Sequence, residues 1–419
     1  MDVEIVAIGN ELLLGETVDT NSGHVARRLA EIGARVSRVT VVGDDRIRMR
    51  QALEEARNRS AWVITTGGLG PTQDDLTRPV VAEVFGVPLE IDAEVLATVE
   101  ERFRRFGYER MPPSNRSQAE VPRGARVIPN CHGTAPGLVI EGGGCTFFVL
   151  PGVPAEMRAL LDEGVLPVLA AANGVGSPVV RSRVVHTAGI GESALAERLD
   201  DVLADPGPVE VAYLPHLGMV DVRLTLAGFT LLEADRRLEV LAGEVIRRST
   251  PWYYGIDEET LPRAIGGALE ARGWRVAVAE SMTAGELGAE ITSVAGSSAW
   301  FVGGILAYAN EAKEALLGVP RETLERHGAV SEETCQAMLS GVRKALSAEV
   351  GCAVTGIAGP AGGSEEKPVG LVWIGVETPE GTEVRKLDYP GGREEVRRRA
   401  TVATLALLWR RLRPEGGRP

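Results

Sequence analysis

The sequence predicts an α/β protein in three parts: an N-terminal three-layer α/β domain, a small α+β unit, and a C-terminal α/β domain. Three observations predict it. The chain has 419 residues, more than one hydrophobic core normally organises, so two or three domains are expected. Short apolar runs alternate with amphipathic stretches at both ends of the chain, and the middle changes to strand, helix, strand, strand, helix. The composition, 44% hydrophobic and 25% charged, is that of a globular protein with no disordered or fibrous bias.

The elements follow in order. Val3–Ile8 reads as a buried strand, Thr20 to Ile32 as an amphipathic helix, Val36–Val42 as a strand, Ile47–Arg59 as a helix and Trp62–Thr66 as a strand. That βαβαβ order argues for a mainly parallel sheet covered on both faces. Leu138–Ile140 and Thr146–Leu150 add strands before a helix near Pro154, a residue suited to a first turn because its missing N–H has no helical partner there. The composition shifts near Ala171-Ala172-Asn173-Gly174. Val179 to Arg248 forms the small α+β unit, and Pro251-Trp252-Tyr253-Tyr254-Gly255 looks like a connector. From Glu258 the α/β pattern resumes and runs to a last helix, Glu394–Leu412. Domains at 1–170, 177–250 and 258–413 are expected.

The composition also excludes function classes. The start, Met1-Asp2-Val3-Glu4-Ile5-Val6, has neither a basic region nor a long apolar run. No stretch approaches the roughly 18 apolar residues of a membrane span, so a cytoplasmic protein without a membrane partner is expected. Four cysteines form no Cys-x-x-Cys pair and five histidines lie isolated, which removes zinc-finger and dithiol readings. A net charge of −13 disfavours nucleic acid, whose recognition draws on basic surface.

Two constellations carry chemistry. In the first domain a strand runs into Gly67-Gly68-Leu69-Gly70-Pro71-Thr72-Gln73-Asp74-Asp75-Leu76-Thr77. Glycines Gly67, Gly68 and Gly70 allow the backbone to approach a pyrophosphate, and Asp74 and Asp75 offer the hard oxygens that magnesium or manganese prefers. The alternative is a turn with an acidic helix start, favoured by the helix dipole. Gly9, Asn10 and Glu11 end the first strand on the same expected edge of the sheet. In the last domain Val276-Ala277-Val278-Ala279 leads into Glu280-Ser281-Met282-Thr283-Ala284-Gly285 and then a helix. Such a turn either caps the helix or places a nucleophile or anion-binding group at the sheet edge. Val354-Thr355-Gly356 opens a glycine-rich loop through Gly359 and Gly363, which can bring N–H groups to an oxygen.

Taken together, Ala279–Gly285, Gly296–Lys313, Gly328-Ala329-Val330-Ser331-Glu332 and Thr355–Gly370 resemble the CinA C-terminal family in collinear order. The resemblance implies hydrolysis of nicotinamide mononucleotide to nicotinic acid mononucleotide and ammonia, without a cofactor. By motif, Ser281 matches the nucleophile and Lys313 its basic partner, with Thr283, Tyr308 and Thr355 lining the site. Glu280, Gly356 and Gly359 are expected beside them. No histidine lies in these motifs, so a serine–lysine pair is the available route to a deprotonated hydroxyl. Residues 1–170 resemble the molybdopterin-binding-like domain of the same family, supported by Asn115-Arg116-Ser117-Gln118-Ala119, Gly133-Thr134-Ala135-Pro136-Gly137 and Pro151-Gly152-Val153-Pro154. It implies cleavage of ADP-ribose to AMP and ribose 5-phosphate with magnesium, manganese or cobalt, Asn115 and Thr72 joining the nucleotide-binding set. The middle unit is similar to the family's KH-type domain and is expected to mediate a homodimer. Three positions depart from the family pattern: Met282 for cysteine, Ala284 for glycine and Ser117 for lysine. Alternative readings are a nucleotide sensor at the N-terminus, or a binding protein for recombination partners.

Overall fold

The computed structural model describes residues 1–174 and 178–413, and the chain forms two compact units: one of Met1–Arg181 with Ala227–Asp235, the other of the remainder. The boundary expected at Ser177 lies outside the described residues.

In the first unit a six-stranded sheet runs in the order Arg35–Val42, Asp2–Ile8, Trp62–Thr66, Cys145–Leu150, Gly137–Gly142, Arg126–Ile128. The first four strands are mutually parallel and the last two antiparallel. Alternating side chains feed two cores. Val3, Ile5, Ile64 and Phe148 pack with Val25, Leu29, Met157 and Leu160 on one face. Val6, Ile8, Val63 and Phe147 pack with Met49, Leu53, Val80 and Val84 on the other. Strands buried on both faces read as near-continuous apolar runs, as these do. Their carboxyl ends release the loops at Gly9, Gly43, Gly67 and Pro151 along one edge.

The middle part of the chain forms a four-stranded sheet in the order Glu210–His216, Met219–Phe229, Val179–Ala188, Tyr253–Ile256. The expected connector is therefore corrected: Tyr253–Ile256 is a strand, antiparallel to Val179–Ala188. Its two tyrosines favour a pleated, half-buried surface. The middle part and the C-terminal part share one core. Ala188 and Met219 pack with Val372 and Ala406, and Trp409 Nε1 donates to the Tyr253 carbonyl at 2.8 Å.

That fourth strand is pinned by a charged histidine. His186 Nδ1 meets Asp221 Oδ1 at 2.8 Å and Nε2 meets the Asp257 carbonyl at 2.7 Å. Both partners accept, so both ring nitrogens must donate and the ring is an imidazolium. Burial opposes that charge, but the bonds to Asp221 and Asp257 outweigh it and hold the pKa above 6.5. A pKa raised by folding contributes stability below the unfolded value, and that contribution is lost as pH rises through the folded value. The urea midpoint of the wild-type chain should thus exceed that of His186→Asn most at pH 6, with the gap closing toward pH 9. A gap independent of pH would make His186 neutral.

The C-terminal sheet runs Phe301–Leu306, Val276–Glu280, Val350–Gly356, Leu371–Thr378, Gly381–Asp388. The first three strands are parallel and the last two antiparallel. Val276, Val278, Val350 and Cys352 face Leu261, Ile265, Leu405 and Leu408, while Ala277, Ala279 and Ala353 face Met338, Leu339 and Val342. The parallel strands end at Glu280, Leu306 and Gly356, which gathers three loops at one edge. Among the described residues no helix is long and apolar enough to cross a membrane.

Candidate active sites

The strand Val276–Glu280 delivers Ser281 to the sheet edge, where its N–H donates to the Val354 carbonyl at 3.0 Å. The backbone is thereby fixed while the hydroxyl meets Lys313, whose Nζ lies 3.3 Å from Ser281 Oγ. Lys313 is only 1% exposed, on the first turn of the helix Asn310–Leu317. Its Nζ also donates to the carbonyls of Ala307 (2.8 Å) and Tyr308 (2.9 Å). Burial lowers the lysine pKa below its ordinary value, opposed by the charge of Glu311. The three neighbours orient the group: in the neutral amine the two N–H bonds satisfy the two carbonyls. The lone pair is then left on the side of the serine hydroxyl.

The turn after Ser281 is braced from below. Glu280 is 1% exposed, and its carboxylate accepts from the N–H groups of Gly285, Leu287 and Gly288 at 3.0, 3.1 and 2.9 Å. The expectation that Glu280 touches a substrate is corrected: it holds the N-terminus of the helix Glu286–Ile291. Ala284 takes φ +51°, a left-handed conformation that disfavours a Cβ and explains why glycine suits this position. Gly356 has no room for a side chain, since a Cβ would stand 2.6 Å from Met282 Sδ and 2.8 Å from the Leu371 carbonyl. The larger Met282 thus depends on that glycine.

Thr355 is 1% exposed and donates to the Ala329 carbonyl at 2.7 Å, fastening the glycine-rich loop instead of lining an open surface. Thr283 is fully buried, and its hydroxyl has no partner among the described residues. Tyr308 is 62% exposed and its phenol lies 3.4 Å from Arg393. Arg393 also donates to the Gly359 carbonyl at 3.0 Å, and Arg397 donates to the Thr283 carbonyl at 2.7 Å. These two arginines, with Ala284, Gly285 and Glu286, line an open cleft of about 1200 Å³. The sequence reading missed both. The signal was Gly391-Gly392 just ahead of a helix whose first turns carry Arg393 and Arg397 on one face.

In the first unit the loop after Trp62–Thr66 passes so close to the neighbouring strand that a Cβ on Gly67 would lie 2.1 Å from the Ile8 carbonyl. Gly67 has φ +105° and Gly68 +65°, so both positions require glycine. Asp75 accepts from Gly70 N–H (2.7 Å), Thr72 N–H (2.8 Å) and the Thr72 hydroxyl. Arg78, 2% exposed, donates to the carbonyls of Leu69 and Gly70 at 2.6 and 2.8 Å, and burial pulls its pKa to about 10. The loop is a rigid ring closed on its own side chains.

A cleft of about 460 Å³ opens beside it, lined by Gly9, Glu11, Gly67–Pro71, Asp74, Asp75 and also Asp44, Gln118, Thr134 and Glu156. Asp44 was not foreseen, although Asp44-Asp45 follows the end of a strand on the same edge. It exchanges bonds with Asn10: Asn10 N–H to Asp44 Oδ2 at 2.9 Å, Asp44 N–H to Asn10 Oδ1 at 3.2 Å. Burial, then the charges of Glu11, Asp74 and Asp75, raise the Asp44 pKa. Asn115 stands behind the cleft, donating to Gln118 at 3.0 Å, which donates in turn to Thr134 at 3.0 Å. Ser117 turns back to the Ser114 carbonyl.

Carboxylates crowded into one cleft suit a hard divalent cation. Among the described residues no three acidic, histidine or cysteine side chains form a ready cage. Magnesium commonly takes one or two carboxylates, with water and substrate phosphates completing its shell. Asp44 and Asp74 fit that pattern, whereas Asp75 has both oxygens engaged by the loop.

Comparison with known proteins covers the whole chain. The probable molybdopterin binding domain matches residues 4–171, the damage-inducible protein CinA KH domain 182–255, and the CinA C-terminal domain 258–412. A CinA-like protein of Gemmatimonas aurantiaca is 44% identical over 419 residues, covering 100% of this chain and 98% of its own. A putative competence-damage inducible protein of Symbiobacterium thermophilum is 46% identical over 425 residues, covering 98% and 99%. Among solved structures, a CinA protein of unknown function from Thermoplasma acidophilum is 38% identical, covering 38% of this chain and 94% of its own with a TM-score of 0.36. A competence/damage inducible protein from Agrobacterium tumefaciens is 42% identical, covering 36% and 93% with a TM-score of 0.35. With matched domains in collinear order and relatives aligned along their full lengths, the chain belongs to the CinA family.

Proposed function

We propose that the chain is a bifunctional pyridine-nucleotide hydrolase whose C-terminal site converts nicotinamide mononucleotide to nicotinic acid mononucleotide and ammonia. The observation that carries this reading is the buried Lys313 amine 3.3 Å from Ser281 Oγ. Neutral Lys313 takes the hydroxyl proton as Oγ attacks the amide carbon. The N–H groups of Met282 and Thr283, which follow the nucleophile directly and have no acceptor among the described residues, would donate to the developing oxyanion. Lys313 returns the proton to the departing ammonia. It then deprotonates a water that cleaves the acyl ester and regenerates Ser281. Arg393 and Arg397 supply cations for the phosphate of the substrate. Purified chain should release ammonia from nicotinamide mononucleotide without added metal, and Ser281→Ala should release none. Absence of ammonia from the wild-type chain would falsify the deamidase reading.

For the first unit we infer metal-dependent cleavage of ADP-ribose to AMP and ribose 5-phosphate. Asp44 and Asp74 would hold the divalent ion, with Glu11 and Glu156 nearby, and the ion would neutralise charge on the diphosphate. The glycine loop would approach the phosphates through its backbone. A sensor without turnover is the second reading, favoured by the engagement of Asp75 in the loop. AMP release that depends on added metal separates the two. The middle sheet is proposed as a homodimer element.

A further inference from the structure

Between the middle sheet and the last helix of the second unit lies a cavity of about 390 Å³, separate from both clefts described above. The titratable groups on its wall are Arg385, Arg399, Arg410, Glu192, His216 and Tyr389. Arg385 and Arg410 face one carboxylate: Glu383 Oε1 stands 2.6 Å from the first, within hydrogen-bond reach, and 3.8 Å from the second, an ion-pair distance only. Arg410 is the less exposed of the two, its side chain 19% exposed, and its buried Nε has no hydrogen-bond partner among the described residues. Burial and the neighbouring Arg385 both disfavour its cation. Arg399 is paired to Glu395 at 2.6 Å and lies 5.8 Å from the centre of the Tyr389 ring. Met219, Ile374 and Leu387 supply an apolar floor. Gly191, also on the wall, begins the helix Glu192–Leu203, which has no side-chain cap among the described residues.

Two cations on one carboxylate leave the pair short of negative charge, and a buried guanidinium donor without an acceptor is costly. An anion of several oxygens supplies what is missing. Phosphate matches the fork of a guanidinium and the N–H groups of an uncapped helix start. A cavity of this size, part apolar and part cationic, is of the class that takes small organic ligands.

The geometry points to a second ligand site, in which Arg385, Arg399 and Arg410 hold the phosphate of a small organophosphate whose apolar body rests on Met219, Ile374 and Leu387. Nothing in the deamidation chemistry uses these groups. The test is calorimetric titration of AMP into the full chain and into Arg385→Gln and Arg385→Gln/Arg399→Gln. Arg385 sits on an edge strand with its side chain 43% exposed, so the single variant should fold even where the double does not. The wild-type chain should show a binding event weakened roughly tenfold or more in the single variant, the scale of a lost charge-assisted bond. That event should vanish in the double variant. Variants with wild-type circular dichroism that keep every AMP-binding event of the wild type would overturn the site. So would inorganic phosphate binding as tightly as AMP, since the apolar floor would then contribute nothing.

Discussion

Replacing Lys313 by arginine is expected to lower kcat on nicotinamide mononucleotide by about 10²-fold or more, the usual contribution of a general base. Arginine keeps the positive charge but cannot lose its proton at working pH. If Lys313 served only to attract the substrate's phosphate, KM would rise and kcat would stay within about tenfold. The geometry favours the base: the amine is buried against two carbonyls and the serine hydroxyl, whereas the open cleft carries arginines of its own, Arg393, Arg397 and Arg398. The pH profile gives an independent check. The neutral amine is the active form, so kcat/KM should climb as pH rises toward a lysine pKa that burial has lowered from 10.5. Because arginine is also larger than the site it enters, Lys313→Met should be measured beside it, and Ser281→Ala sets the inactive baseline. A near-wild-type kcat for Lys313→Arg would move the residue from catalysis to binding.

What the sequence revealed and what it hid follow physical lines. Strands buried on both faces, such as Val276–Glu280 and Asp2–Ile8, announce themselves as apolar runs because both faces meet a core. Ser281 and Lys313 stand 32 positions apart, and only the motifs around them, not any periodicity, joined them before the fold did. Glu280 misled because a carboxylate next to a candidate nucleophile looks chemical. Its partners are N–H groups five, seven and eight residues ahead, outside the N-cap spacing that sequence reading looks for. Pro251–Gly255 reads as a connector because the strand that starts within it, Tyr253–Ile256, has its partner, Val179–Ala188, some seventy residues earlier, and pairing at that separation leaves no local mark. Asp44 and Arg393 were hidden similarly: each reads as an ordinary charged residue beside a turn until the sheet edge collects it.

Asp75→Asn is expected to lower the turnover of ADP-ribose by about 10²-fold at saturating metal, the scale on which a small misplacement of a catalytic loop acts. Two roles for Asp75 must be separated. A metal ligand converted to asparagine binds the ion more weakly, so excess magnesium or manganese restores the rate. A loop brace behaves otherwise. Asp75 gives one oxygen to Gly70 N–H and the other to Thr72 N–H and hydroxyl. Asparagine can accept at one of these places only, and its NH₂ then faces a donor at the other. The ring formed by Gly70, Thr72 and Asp75 must open, and Gly67–Gly70 would no longer present its backbone to the diphosphate. Excess metal cannot repair that. Asp74→Asn is the contrasting variant: Asp74 is an exposed side chain lining the same cleft and takes no part in the ring of Gly70, Thr72 and Asp75, so its defect should shrink as metal is raised. Deamidation by the second unit serves as the folding control and should be unchanged in both. If added metal restores Asp75→Asn as fully as Asp74→Asn, Asp75 is a ligand and the brace is not its function.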